Sequence, residues 1–194
     1  MTRLATADMT QLVLASTSPR RRELLAQLGV TFDVLPVAVD EQPLAAEQAA
    51  DHVCRLALAK ARAGADQVGA EVCVLGADTV VVVDGEIFGK PEHAKAAAVM
   101  LRRLSGRTHE VLSAVARVYR GGHQVRLSES RVTFRTLSAA EIASYCASGE
   151  PLDKAGAYAI QGRAAAFVRH LEGSYSGVVG LPLFETAELL ASVG

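Results

Sequence analysis

Tryptophan is absent from the chain and aromatic residues make up only 5% of it. It therefore lacks the stacking side chains that a nucleic-acid-binding face interleaves with its cations. Nor does one sign of charge dominate, since 20 basic residues stand against 21 acidic ones and leave a formal net charge of -1. That balance excludes the global field behind non-specific binding to DNA or anionic lipid, so any bound anion must meet a local cluster. Cysteine is scarce as well. Cys54, Cys73 and Cys146 are odd in number and far apart, which excludes a CxxC metal pair, argues against a disulfide framework and points to a reducing cytoplasm. No apolar run approaches the length of a membrane span, and no export signal is read in the first ten residues, where Arg3 and Asp8 precede no apolar segment. The expectation is a cytoplasmic protein whose partners include neither nucleic acid nor membrane.

What the chain does have is apolar residues, 50% of 194, enough to fill the core of one domain or two closely packed lobes. Residues 1–11 read as a flexible N-terminal extension and residues 12–194 as a single domain. Leu12 to Ala15 predicts a short buried strand, and Ser18-Pro19 predicts the cap and first position of a helix to about Leu28. Alternation over Phe32 to Val39 predicts a second strand. Val53, Leu56, Ala57, Lys60 and Ala61 share one face of a helix from Ala45 to Ala65, which puts Lys60 at the edge of the buried stripe, an unusual place for a lysine. Val72 to Leu75 and Val80 to Val83 read as two strands flanking Asp78, and Asp84-Gly85 reads as a hairpin turn into Glu86-Ile87-Phe88. A helix from Glu92 to Leu104 and strands within 110–119 and 125–137 follow. Ser138 and Glu141 then form a capping box that opens a helix ending near Gly149. Short strands at 158–161 and 167–171 and a final helix from Pro182 to about Ala191 complete the reading. Helices mixed with hairpins predict an α/β protein whose sheet is mixed rather than purely parallel.

Several stretches carry chemistry. Ser16-Thr17-Ser18-Pro19-Arg20-Arg21-Arg22 joins a strand to a helix N-terminus, where free amides and the positive dipole end favour an anion. Cations in a first turn oppose that dipole unless an anion is present, which argues for a phosphate over a merely capped, solvated turn. Three successive residues fan across roughly 200° of a helix, so only Arg20 and Arg21 are assigned to the ligand. Asp78 near a core must be paired or metal-bound, or else be a turn aspartate capped by its own backbone; composition leaves both readings open. Asp40-Glu41 offers further carboxylate oxygens, and such hard donors suit Mg²⁺ or Mn²⁺ shared with phosphate. Lys90 in Phe88-Gly89-Lys90-Pro91 reads either as a phosphate ligand or as a surface lysine before a helix. The segment is no P-loop, being one residue short and without the magnesium-binding Ser or Thr. His109-Glu110-Val111-Leu112-Ser113 begins like a zinc-protease helix but lacks the second histidine, and that reading is rejected.

Taken together, Ala15-Ser16-Thr17-Ser18-Pro19-Arg20-Arg21, Gly76-Ala77-Asp78-Thr79, Gly89-Lys90-Pro91 and Gly180-Leu181-Pro182 stand in the order and approximate spacing of the Maf proteins. The chain resembles that family over nearly its whole length. Asp153-Lys154-Ala155-Gly156-Ala157-Tyr158 followed by Ile160-Gln161-Gly162 resembles the branch acting on dTTP and UTP rather than the 7-methyl-GTP branch. The resemblance implies a mixed twisted sheet with flanking helices, two lobes around a cleft, a relation to the inosine triphosphatases, and often a homodimer. It implies a Mg²⁺- or Mn²⁺-dependent nucleoside triphosphate pyrophosphatase that yields monophosphate and pyrophosphate in nucleotide-pool housekeeping. By similarity Asp78 is the proton acceptor, and Arg20, Thr79 and Gln161 tune the choice of nucleotide. Ser16, Arg21, Glu41, Lys60 and Lys90 line the cleft and bind phosphates or metal, with Glu41 and Asp78 as the metal carboxylates. One departure is Arg163, a cation after Gln161-Gly162 where many relatives carry small residues. The alternative function, implied by the association of Maf proteins with septum formation, is a cell-division regulator that binds nucleotide with little turnover.

Overall fold

The computed structural model describes residues 11–192, so all but the last residue of the expected N-terminal extension lies outside the described residues. The strands are β1 (Leu12–Leu14), β2 (Asp33–Val34), β3 (Cys73–Val83), β4 (Glu86–Phe88), β5 (Thr108–Tyr119), β6 (Gly122–Phe134) and β7 (Val168–Glu172). The α-helices are α1 (Pro19–Ala26), α2 (Ala49–Val68), α3 (Ala94–Leu104), α4 (Ala139–Ala147), α5 (Tyr175–Val179) and α6 (Leu183–Ala191). Strands run in the order β2-β1-β3-β5-β6-β7, with β4 paired to β3. β1 is parallel to both β2 and β3, whereas β3–β4 and β6–β7 are antiparallel, so the fold is α/β with a mixed sheet.

The chain forms two compact units. The first comprises residues 11–78, 113–128 and 180–192, the second residues 79–112 and 129–179. In the first, all three residues of β1 are buried, as expected of a parallel strand paired on both sides. Val13, Ala15 and Val74 form a small core, which Leu35, Val37 and Ala65 cover. The face of α2 buried against it includes Val53, Leu56, Ala57, Lys60, Ala61 and Gly64, the stripe with period 3.6. The helix lies against β3 at Gly76, where a Cβ would stand 2.3 Å from the Ala57 carbonyl oxygen and 2.4 Å from the Ala61 nitrogen. Only glycine permits that approach. The second unit has the larger core, built from Val81, Leu101, Leu104, Phe134, Tyr145 and Phe167 among others. Its β3–β4 hairpin turns at Asp84-Gly85 with φ of 53° and 77°, the doubly positive turn whose twist matches the strands. Ser138 and Glu141 form the full capping box at α4, as the sequence predicts.

Four expectations are corrected. The strand over 32–39 shrinks to Asp33–Val34 because β1 offers only Val13 and Leu14 as partners and Pro36 has no N–H to donate. The alternation there reflects Leu35 and Val37 packing inward from an irregular segment. The two strands flanking Asp78 are one continuous strand, so Asp78 is no turn residue. Gly76 is small because α2 packs on it, which outweighs the segment's turn propensity. Nor is 158–161 a strand; the segment runs between 3₁₀ turns at Ala155–Ala157 and Arg163–Phe167, and its apolar residues fill the core. The helix expected from Ala45 starts four residues later, at Ala49, after a loop with its own side-chain anchor described below. His109 lies in β5 rather than on a helix, as the rejection of a zinc motif requires.

Candidate active site

The first unit gathers unlike charges around the middle of β3. Asp78 is buried at 7% exposure, and its Oδ1 accepts a hydrogen bond from Lys60 Nζ at 2.7 Å. Lys60 is equally buried and reaches Asp78 because Gly76, two residues earlier on the same face of the strand, lets α2 approach. The same ammonium stands 2.6 Å from Glu41 Oε1, a carboxylate that is half exposed. One lysine thus bridges a buried and an accessible carboxylate. An ammonium taken from water at this depth is tolerated because two carboxylates stand within 2.7 Å to compensate its charge.

Ser16 follows β1 and is buried; its Oγ accepts from the Ser18 amide at 3.2 Å, while Ser18 Oγ caps the Arg21 amide. The two hydroxyls shape the strand-to-helix turn. Arg20 and Arg21 are half-buried and Arg22 is exposed, on a first helical turn that contains no acidic residue. Arg21 Nε donates to the Gly180 carbonyl at 2.8 Å, which ties α1 to the Gly180-Leu181-Pro182 corner. Burial pushes the Arg21 pKa down, Asp78 pulls it up, Arg20 pushes it down and Glu41 pulls it up. The guanidinium stays charged, and it shares one electrostatic neighbourhood with Asp78, Glu41 and Arg20.

A second cluster, which sequence reasoning missed, holds Glu41 in place. Glu47 accepts from Arg55 Nε at 2.5 Å, from Arg55 Nη2 at 2.8 Å and from the Leu44 amide at 3.0 Å, and lies 2.9 Å from His52 Nδ1. Arg55 Nη2 also donates to the Gln42 carbonyl at 3.1 Å. The bidentate Arg55 pair, ahead of the other contacts, holds the Glu47 carboxyl far below the usual carboxylate range. These bonds clamp the loop 41–47 to α2, the helix that carries Lys60. The available signal was slight: an acid just before a helix whose basic residues His52 and Arg55 stand three apart.

The second unit carries the remaining predicted residues. Thr79 follows Asp78 along β3 and is half-buried; Lys90 and Gln161 are exposed. The carbonyl of Gly89 accepts from the Gly156 amide at 3.1 Å, which ties the Gly89-Lys90 segment to Lys154-Ala155-Gly156. His109 lies in this unit's core, with Nε2 2.9 Å from Tyr158 Oη, and burial lowers its pKa to about 4. It is a neutral core histidine.

Among the described residues no three His, Cys, Asp or Glu side chains are placed to enclose a metal ion. Glu41 and Asp78 form a two-carboxylate donor set that already draws a cation, the Lys60 ammonium, between them. Such a set fits Mg²⁺ or Mn²⁺, which keep several waters and pair one or two carboxylates with phosphate oxygens, rather than a metal needing a full protein cage.

A family profile described as Maf-like protein matches residues 11–193. A dTTP/UTP pyrophosphatase of Methylococcus capsulatus is 57% identical over 188 residues, covering 97% of this chain and 93% of that protein. A protein of the same name from Escherichia coli O157:H7 is 55% identical over 184 residues, covering 95% and 93%. The crystal structure of a nucleoside-triphosphatase, or dITP/XTP pyrophosphatase, from Mycobacterium abscessus aligns with a TM-score of 0.45 and 21% identity, covering 67% of this chain and 77% of that one.

Proposed function

The chain belongs to the Maf family, and on that premise we propose that it hydrolyses dTTP and UTP to the monophosphate and pyrophosphate as a nucleotide-pool housekeeping enzyme. The observation that carries the reading is the buried Lys60 ammonium bridging Asp78 and Glu41, in a chain more than half identical to proteins named for that reaction. Asp78 is the general base. Its carboxylate accepts the proton of a water whose oxygen bonds to the α-phosphorus, while the bond from that phosphorus to the bridging oxygen breaks and pyrophosphate leaves. Lys60 positions that carboxylate and offsets its charge. Arg20, Arg21 and Lys90 bind phosphate oxygens, Ser16 shapes the turn beneath them, and Thr79, Gln161 and Arg20 set the choice of nucleotide. Glu41 and Asp78 would hold Mg²⁺ or Mn²⁺, which when bound would supply charge neutralisation for the phosphates. By the same resemblance the protein is a cytoplasmic homodimer; among the described residues no helix is long and apolar enough to cross a membrane.

The test is product analysis after incubation with a panel of nucleoside triphosphates, with Mg²⁺ or Mn²⁺ and with chelator. The expected result is monophosphate plus pyrophosphate from dTTP and UTP, abolished by chelator and by Asp78→Asn. Saturable binding without turnover of any nucleotide would overturn the proposal and leave the septum regulator, which no present observation favours.

A further inference from the structure

Gln161 sits at the third position of a tight turn, closed by the Gly162 amide donating to the Ala159 carbonyl at 3.0 Å. One pair of side chains holds both sides of it. Tyr145 in α4 is 1% exposed; its Oη accepts from the Ala159 amide at 3.1 Å and donates to Glu150 Oε1 at 2.8 Å. The other oxygen, Glu150 Oε2, accepts from the Arg163 amide at 3.2 Å. The amides two residues before and two residues after Gln161 therefore both end on the Tyr145–Glu150 pair. Gly162 passes so close to the same carboxylate that a Cβ there would stand 2.3 Å from Glu150 Oε1. Its φ of -107° is open to any residue, so a side chain at this position would have to displace the Glu150 carboxylate rather than strain the backbone. Arg163 Nη2 donates to Ser144 Oγ at 3.5 Å, a longer tie from the turn to α4. Burial drives the Tyr145 phenol well above its ordinary value, so it remains a protonated donor throughout the working pH range.

We propose that Tyr145 and Glu150 are positioning residues for nucleotide specificity: together they bracket the 159–163 turn and hold Gln161 in a fixed orientation. The inference rests on the reading that Gln161 contacts the nucleotide. A base-reading side chain on an unconstrained turn would lose orientation each time the turn rearranged, and misplacement by about 1 Å is enough to cost 100-fold in rate. A carboxylate suits the task because its two oxygens accept from two donors at once.

The experiment compares kcat and KM for dTTP and UTP with those for dCTP and dATP. The variants are Gln161→Ala, Tyr145→Phe, Glu150→Ala, Glu150→Gln, and Gly162→Ala with Glu150 either intact or replaced by alanine, each checked for folding by circular dichroism. Glu150→Ala and Tyr145→Phe should cut the preference for dTTP by roughly 10- to 100-fold, mainly through KM, with kcat for a poor substrate unchanged. Glu150→Gln, with one acceptor oxygen, should fall between. Gly162→Ala should harm the enzyme with Glu150 present and add nothing once Glu150 is alanine, because the clash partner is gone. Folded Glu150→Ala or Tyr145→Phe with wild-type discrimination, beside a Gln161→Ala that loses it, overturns the bracket. Should Glu150→Ala not fold, Tyr145→Phe decides by the same criterion. A Gln161→Ala that discriminates normally instead refutes the role of Gln161 and removes the premise.

Discussion

Replacing Lys60 with methionine keeps the length of the side chain and removes its charge, leaving Asp78 in a buried position without its ammonium. The two side chains are 11% and 10% exposed, so solvent screens the pair poorly, whereas Glu41 is 52% exposed and contributes little to the cost. Removing one partner of a buried pair costs about 3–5 kcal/mol, because the remaining charge has lost its compensation. In a domain of this size each kcal/mol lowers Tm by about 2–4 °C, so a fall of roughly 6–20 °C is expected at neutral pH. Asp78→Asn should cost less, about 1–3 kcal/mol, since Lys60 keeps Glu41 at 2.6 Å. The double variant Lys60→Met/Asp78→Asn should be more stable than Lys60→Met alone, with a coupling of at least about 1 kcal/mol by denaturant titration. Lys60→Met as stable as wild type, or strictly additive costs in the double variant, would refute the view that Lys60 sustains a buried charge on Asp78.

Adding Mg²⁺ should raise the Tm of Lys60→Met more than that of wild type, because the cation replaces the missing charge between Glu41 and Asp78; equal shifts in a thermal melt would count against those two residues as metal ligands. Gly76→Ala should destabilise by at least about 1–3 kcal/mol and abolish activity even where the fold survives, since a methyl group 2.3 Å from the Ala57 carbonyl drives Lys60 away from Asp78; urea titration and the pyrophosphate assay read the two effects. Glu47 is depressed from its usual 4.5, so its contribution is complete above that pH and declines as pH falls below it; Glu47→Gln should flatten this acid-side loss in melts from pH 7 to 3 and raise KM for the metal-nucleotide. His109 is lowered from 6.5 to about 4, so the unfolded chain binds the extra proton between those values and stability is lost as pH drops from 6.5 towards 4, by up to about 3 kcal/mol. His109→Gln should flatten that slope, and an imidazole resonance of His109 titrating near 6.5 in the wild type would contradict it.

Much of the fold was legible because its signals are local. The capping box at Ser138 and Glu141, the Asp84-Gly85 hairpin and the Ser18-Pro19 helix start each depend on a few adjacent residues, and each forms as read. Lys60 was likewise marked by its place on a periodic apolar stripe, where a charge requires a partner. What could not be read were outcomes settled by distant neighbours. Gly76-Ala77-Asp78-Thr79 has turn composition, and only the place of β3 inside the sheet and α2 packed on Gly76 make it the middle of a strand. The 32–39 segment alternates like a strand but has almost nothing to pair with.

The family resemblance singled out the carboxylates Glu41 and Asp78, whereas residue order alone provided the α/β class, the helix boundaries that carry caps and the basic turn at Ser16 to Arg21. These follow from spacing and capping within a dozen residues, where the backbone's own rules operate. Tertiary structure alone decided that Lys60 bridges those two carboxylates across 18 and 19 positions of sequence, that Glu47 and Arg55 pin the loop bearing Glu41, and that Tyr145 and Glu150 frame the Gln161 turn. The reason is that an ion pair or a bracketing hydrogen bond requires atoms within about 3 Å of one another, and only the packing of helix on strand brings residues so far apart in sequence to that distance.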